Sequence, residues 1–357
     1  MNNDDLRAIE QGMIRDDASF MVGLSLATRQ LPGKSNIPYL FSCIDFYSLI
    51  VHETYSYYTK HDPVLATKLK HAYEDDIKQS RQRMKLYDDK KLGIEGIGET
   101  LLDTITAAHQ KELSKTHRIE LPKWMWRDVG LYFVEGNPAA ISSTHLASFN
   151  MGIDVVRMFN PTTATEFGQE LGRFLIAMAK SITLVRLPQI NVITKDVRSE
   201  RIYTEQKYGS SSKTVNAGLS IIDMNMNFAA LCLPPSTRHT TLFKWRFLTT
   251  YHAISSLRML RNSTHAGDIN AKTLDNIERV LDTDFANLLE SEGAAVLRNT
   301  LTHYGLDTRL DAGKLSMKQR QFYGLVEASL PDWTYESLAT QLDVHIQDNM
   351  ADMFHAW

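Results

Sequence analysis

Cysteine is scarce: the 357 residues contain two, Cys43 and Cys232. That excludes a disulfide scaffold and a cysteine-based zinc site of standard spacing, and it fits a reducing compartment. Proline and glycine are also few, at 10 and 18, while Met, Leu and Ala are frequent. This balance favours helix over sheet. Neither sign of charge dominates: 39 basic residues face 42 acidic ones, for a net charge of -3. A polybasic protein whose whole surface grips nucleic acid is therefore excluded, although a local basic site is not. No apolar run approaches the ~20 residues needed to cross a bilayer. The opening MNNDDLRAIEQ is too acidic and polar for a secretory leader. The expectation is a soluble, cytoplasmic protein without a membrane partner.

What is present is an ordinary globular composition, 43% hydrophobic and 23% charged, in a chain long enough for about two domains. The fold class expected is mainly α. Residues 4–30 carry Leu6, Ile9, Met13, Phe20 and Leu24 at helical spacing. Pro32 and Pro38 interrupt, an aromatic-rich helix over 39–59 follows, and Asp62-Pro63 restarts a helix to about Tyr87. Residues 88–98 read as a connector, because their Gly93, Gly96 and Gly98 run in the wrong order for a dinucleotide loop. Helices are expected around 99–113, 142–158 and 163–180. Between 182 and 208 the β-branched, partly alternating pattern predicts a small hairpin or sheet.

Pro234-Pro235 marks a boundary. It divides a helical N-terminal region, 1–233, from a C-terminal bundle, 234–357, in which helices are expected over 241–260, 271–290, 294–304, 316–329 and from Asp332 to about Ala356. Gly305 suits the C-cap of the third of these.

That third helix contains Leu297-Arg298-Asn299-Thr300-Leu301-Thr302-His303-Tyr304-Gly305. The chain has three pairs in which His follows Arg after about five residues: Arg246/His252, Arg258/His265 and Arg298/His303. Of these three, only Arg298 is followed by Asn, Asp or His; Arg261-Asn262-Ser263-Thr264-His265 is similar but one residue too short. Asn299 and His303, four apart, share a helix face. Arg298 and His303 are offset by about 140° around the axis. His303 can carry protons near neutral pH. Arg298 stays charged, can grip a phosphate through paired hydrogen bonds, and can stabilise a pentacovalent transition state.

An Arg-Asn-x3-His string in a late helix of a bundle resembles the signature of the HEPN ribonucleases, over roughly residues 230–357. The resemblance implies a HEPN-like domain acting as a homodimer, with the motifs of both copies facing one cleft. It further implies metal-independent cleavage of RNA by attack of the substrate's own 2′-hydroxyl, with Arg298 and His303 catalytic, Asn299 in support, and no cofactor or metal. Family behaviour suggests a toxin or antiviral, abortive-infection role, with residues 1–233 sensing, restraining or dimerising, or held by a regulatory partner. The alternative from another class is a non-catalytic helical interaction protein or an RNA-binding regulator. Lys78, Arg81 and Lys85 share a helical face and form a weak candidate RNA track, offset by nearby aspartates. His52-Glu53 and His61-Asp62 match no standard metal spacing, and no metal site is expected.

Overall fold

The computed structural model describes residues 3–74, 76–78, 80, 129–143, 173–197, 205–318, 321–351 and 353–354. The fold is mainly α-helical with one small three-stranded sheet. Three N-terminal helices, α1 (Asn3–Thr28), α2 (Ile37–His61) and α3 (Pro63–Ala72), lie where periodicity and proline placement put them. The Asp62 carboxylate caps α3 by accepting the Leu65 N–H at 3.0 Å. Tyr73 interrupts the helix at φ -137°, ψ 39°; Glu74, residues 76–78 and Ser80 are helical again, and residues 81–87 lie outside the described residues. Arg81, Lys85, the expected connector at 88–98 and the expected helix at 99–113 lie outside the described residues. Of the helix expected over 163–180, residues 173–178 are described and helical.

The sheet is antiparallel, in the order β2-β1-β3: β1 is Val129–Val134, β2 Asn137–Ser143 and β3 Val192–Val197. Of the small hairpin or sheet expected at 182–208, the strand β3 is present, but it pairs with β1 and not within its own stretch. Residues 182–191 carry no regular secondary structure, residues 198–204 lie outside the described residues, and Glu205–Tyr208 is a helical turn, which corrects the expected hairpin there. The hairpin is β1–β2, closed by Glu135 and Gly136 at φ 52° and 88°. Two positive φ values match the turn that follows strand twist. Residues 142 and 143, expected to open a helix, end β2 instead.

Helix α4 (Lys213–Leu231) leads to the Pro234-Pro235 link and then to α5 (Thr240–Arg261). The helix expected over 271–290 is broken into α6 (Ala271–Leu281) and α7 (Asp284–Leu288), because Thr283 turns its hydroxyl to cap the second. α8 (Glu292–His303) is capped by Ser291. The helix expected over 316–329 is only α9 (Leu325–Ser329). Phe322, Tyr323 and Gly324, all at positive φ, block its extension. Tyr323 is held in that conformation by α1: its hydroxyl donates to Asp16 at 2.9 Å and lies where a side chain on Gly12 would stand. The last helix, α10 (Tyr335–His345), starts at a Thr334–Ser337 capping box rather than at Asp332, and Ile346–Met350 follow as a wider turn.

Phe20, Ile50, Phe228, Phe247, Leu297 and Leu342 belong to one core, so residues on both sides of position 233 pack together. Arg246 binds the link from beneath. Its guanidinium pairs with Asp343 of α10 and donates to the carbonyls of Ala229 and Leu233 at 2.6 and 2.9 Å. Asp343 also accepts the Ser236 N–H and hydroxyl at 2.8 and 2.6 Å. Arg246 and Asp343 thereby bind polar groups at the end of α4 and in the link, although the buried Nε of Arg246 has no partner among the described residues.

Near the end of α10, His345 is buried against Phe285, and its Nε2 has no hydrogen-bond partner among the described residues. Burial lowers its imidazole from 6.5 to about 4. Between these values the unfolded chain binds a proton that the fold excludes. This contribution to stability is therefore complete above pH 6.5 and is lost as pH falls toward 4, by about 2 kcal/mol at pH 5. Urea unfolding at pH 7 and pH 5 should show this loss in the wild type and a smaller one in His345→Leu; equal losses would refute it.

Candidate functional site

Helix α8 carries the Arg-Asn-x3-His string and lies between α2 and α5, its end fixed from below. Tyr304, not Gly305, takes the left-handed C-cap position at φ 58°. A tyrosine accepts that conformation because its ring is fully buried and its hydroxyl donates to Asp17 of α1 at 2.7 Å. Asp17 also accepts the Thr241 hydroxyl at 2.8 Å and pairs with Lys244; both Asp17 and Lys244 are 2% exposed. The Lys244 ammonium lies 3.9 Å from the centre of the Tyr304 ring. Burial pulls the Lys244 ammonium below the usual lysine range, and Asp17 opposes that pull. Burial, with Asp17 beside it, pushes the Tyr304 hydroxyl well above the usual range. Nothing in the local pattern of any of these residues signals the cluster.

The residue before Tyr304 is His303. Its side chain is 47% exposed, and its Nδ1 lies 2.9 Å from Oε2 of Glu53 on α2, a carboxylate only 7% exposed. Since a carboxylate accepts, Nδ1–H donates, and in the neutral imidazole this tautomer leaves the lone pair on Nε2. Glu53 was weighed in the sequence only as a metal ligand beside His52. Its signal is an acid in the apolar stripe of α2, spaced from Ile50 and Tyr57 by three and four residues.

Arg298, a turn and a half earlier, faces a pocket of about 190 Å³ between α2, α4, α5 and α8. Its Nη1 donates to Asn299 Oδ1 at 3.1 Å, and its guanidinium lies 6.0 Å from the Tyr251 ring centre. The Asp307 carboxyl is held well below the usual range chiefly by Arg309, with a smaller contribution from Asn299. Asn299 thus positions the guanidinium. Among the described residues no carboxylate pairs with Arg298. The arginines of the two competing spacings differ, since Arg246 is bound to Asp343 and Arg258 to Glu290.

The structure therefore places Arg298 and His303 on neighbouring parts of one surface without joining them directly. On α2, Leu49 lines the pocket and Glu53, one turn on, holds His303. On α8, Thr302 lines the pocket and His303 is next. Lys78 is elsewhere, exposed on a helical segment and paired one turn back with Glu74 at 3.0 Å, and its expected companions Arg81 and Lys85 lie outside the described residues. No helix among the described residues is long and apolar enough to cross a membrane. In comparison with known proteins, no family model, curated protein or solved structure matches this chain.

Proposed function

We propose that the chain is a metal-independent endoribonuclease of the HEPN kind, working as a homodimer on RNA. The observation that carries this reading is the His303–Glu53 pair: an exposed imidazole, oriented by a buried acid, with its free nitrogen directed away from that acid. The same helix offers Arg298, a cation without an acidic partner among the described residues.

The chemistry follows from those roles. Nε2 of His303 takes the proton of a substrate 2′-hydroxyl. The resulting oxygen attacks the adjacent phosphorus, a new O–P bond forms, and the bond to the 5′-oxygen breaks. The leaving oxygen takes its proton from the imidazolium. Arg298, positioned by Asn299, holds the phosphate and stabilises the charge that builds on its oxygens. The products are a 2′,3′-cyclic phosphate and a 5′-hydroxyl. A growth-arresting role in cells, as toxin or antiviral effector, belongs to the same proposal.

The test is incubation of purified protein with labelled RNA in EDTA. Cleavage leaving cyclic phosphate ends is expected, with DNA of the same sequence intact. Absence of cutting, or equal cutting by Arg298→Ala, would sink the proposal.

A further inference from the structure

The pocket beside Arg298 has a floor and a wall that the reaction above does not use. Trp245 and Phe46 stack at 4.8 Å with their planes 2° apart, and Phe228 tilts against Trp245 at 5.7 Å. All three line the cavity. The three rings are at most 7% exposed and cover parts of one another, so what they offer a planar occupant is apolar wall that takes rings of any identity. Asn225 of α4 also lines the pocket, and its amide makes no hydrogen bond to another described residue. A side-chain amide can donate to and accept from one base edge at once. Asp45 and His252 line it too, each already engaged by a neighbour. At about 190 Å³ the cavity is smaller than the roughly 300–1,000 Å³ of sites for drug-sized ligands. It suits one ring system, not a stacked pair.

Arg298 stands at this cavity with its Nε buried and unpartnered. An occupant that matches all these groups is planar and apolar on its faces, hydrogen-bonding on its edge, and joined to an anion. A single nucleotide has that chemistry. We infer that this pocket binds one base of the RNA substrate, next to the bond that is cut, with that nucleotide's 3′-phosphate on Arg298. The inference rests on the ribonuclease reading. It adds that cleavage is selective for the base 5′ to the cut, through a pocket made by α2, α4 and α5 rather than by the motif helix alone.

Nucleoside 3′-monophosphates serve as probes, since each carries the base and phosphate of that position. Titration calorimetry on the full chain should show one saturable site per chain for at least one of the four. Inorganic phosphate should bind at least tenfold more weakly. Ser256→Leu, which fills the pocket wall, and Asn225→Leu, which removes the edge contact, should each weaken nucleotide binding at least tenfold. Circular dichroism should show both variants folded. Both should also raise KM for RNA by a similar factor. Phosphate binding as tightly as nucleotide overturns the inference, as does indifference of nucleotide binding to both variants. Loss of mononucleotide binding in Ser256→Leu with an unchanged RNA KM would assign the pocket to a free nucleotide, which also overturns it. Nucleotide binding that obeys these rules in a protein that never cuts RNA would end the ribonuclease reading and leave the pocket standing. RNA cutting without nucleotide binding would do the reverse.

Discussion

Lys244→Ala should destabilise the protein by about 3–5 kcal/mol, because it leaves the Asp17 carboxylate buried without its cation. Thr241 and Tyr304 would still donate to that carboxylate, yet two neutral donors do not replace a charge at 2% exposure. Asp17→Ala should cost a similar amount, since it strands an ammonium among Phe46, Tyr304 and the core. The double change Asp17→Asn with Lys244→Met should recover most of the loss, because neither group then carries an unpaired charge. Urea unfolding of the wild type, the single changes Asp17→Asn and Lys244→Met, and the double change forms a double-mutant cycle. A coupling below about 1 kcal/mol would mean the pair is not the buried unit described.

His303→Ala should lower kcat on RNA by about 10²–10⁴-fold, the range for loss of a positioned general acid–base group. Glu53 touches no substrate atom and acts through the ring. Glu53→Gln can satisfy Nδ1 with an amide N–H, which puts the imidazole proton on Nε2, the nitrogen that must accept. The expected result is a fall in kcat of at least tenfold, with KM for RNA within about twofold of the wild type. A change in KM alone would assign Glu53 to binding or to packing. Thermal unfolding of Glu53→Gln checks that the Tyr304–Lys244 cluster next to it has survived.

The helices were legible in the sequence where one face was apolar and a polar cap preceded it. α5, α6 and α8 are of this kind, with His239, Asn270 and Ser291 as their caps. Legibility failed where contacts distant in the chain overrule local preference. Tyr304 displaces Gly305 as the cap because of Asp17, 287 residues away, and Tyr323 bends the chain before α9 because of Asp16, 307 residues away. Of the sheet, β3 fell in the stretch expected, but the β1–β2 hairpin was missed because its turn, Glu135-Gly136, needs only one glycine and has no asparagine to advertise it. Within the candidate site, Arg298, Asn299 and His303 could be read from spacing on one helix. Glu53, Asn225 and Trp245 could not, since what joins them to that helix is packing between segments remote in sequence.

The Arg246–Asp343 clamp has a consequence for the timing of synthesis. Arg246 is almost wholly enclosed by α4, the link and α10, but the acid that neutralises it emerges 97 residues later. At typical elongation rates of about 5–20 residues per second, that delay is about 5–20 s. During that interval a growing chain can form α4 and α5 but gains nothing by closing them over an unpaired guanidinium. The clamp thus ties closure over Arg246 to the arrival of α10. A ribosome-bound fragment, or one truncated before residue 343, lacks the acid that neutralises the guanidinium and gains nothing by closing over it.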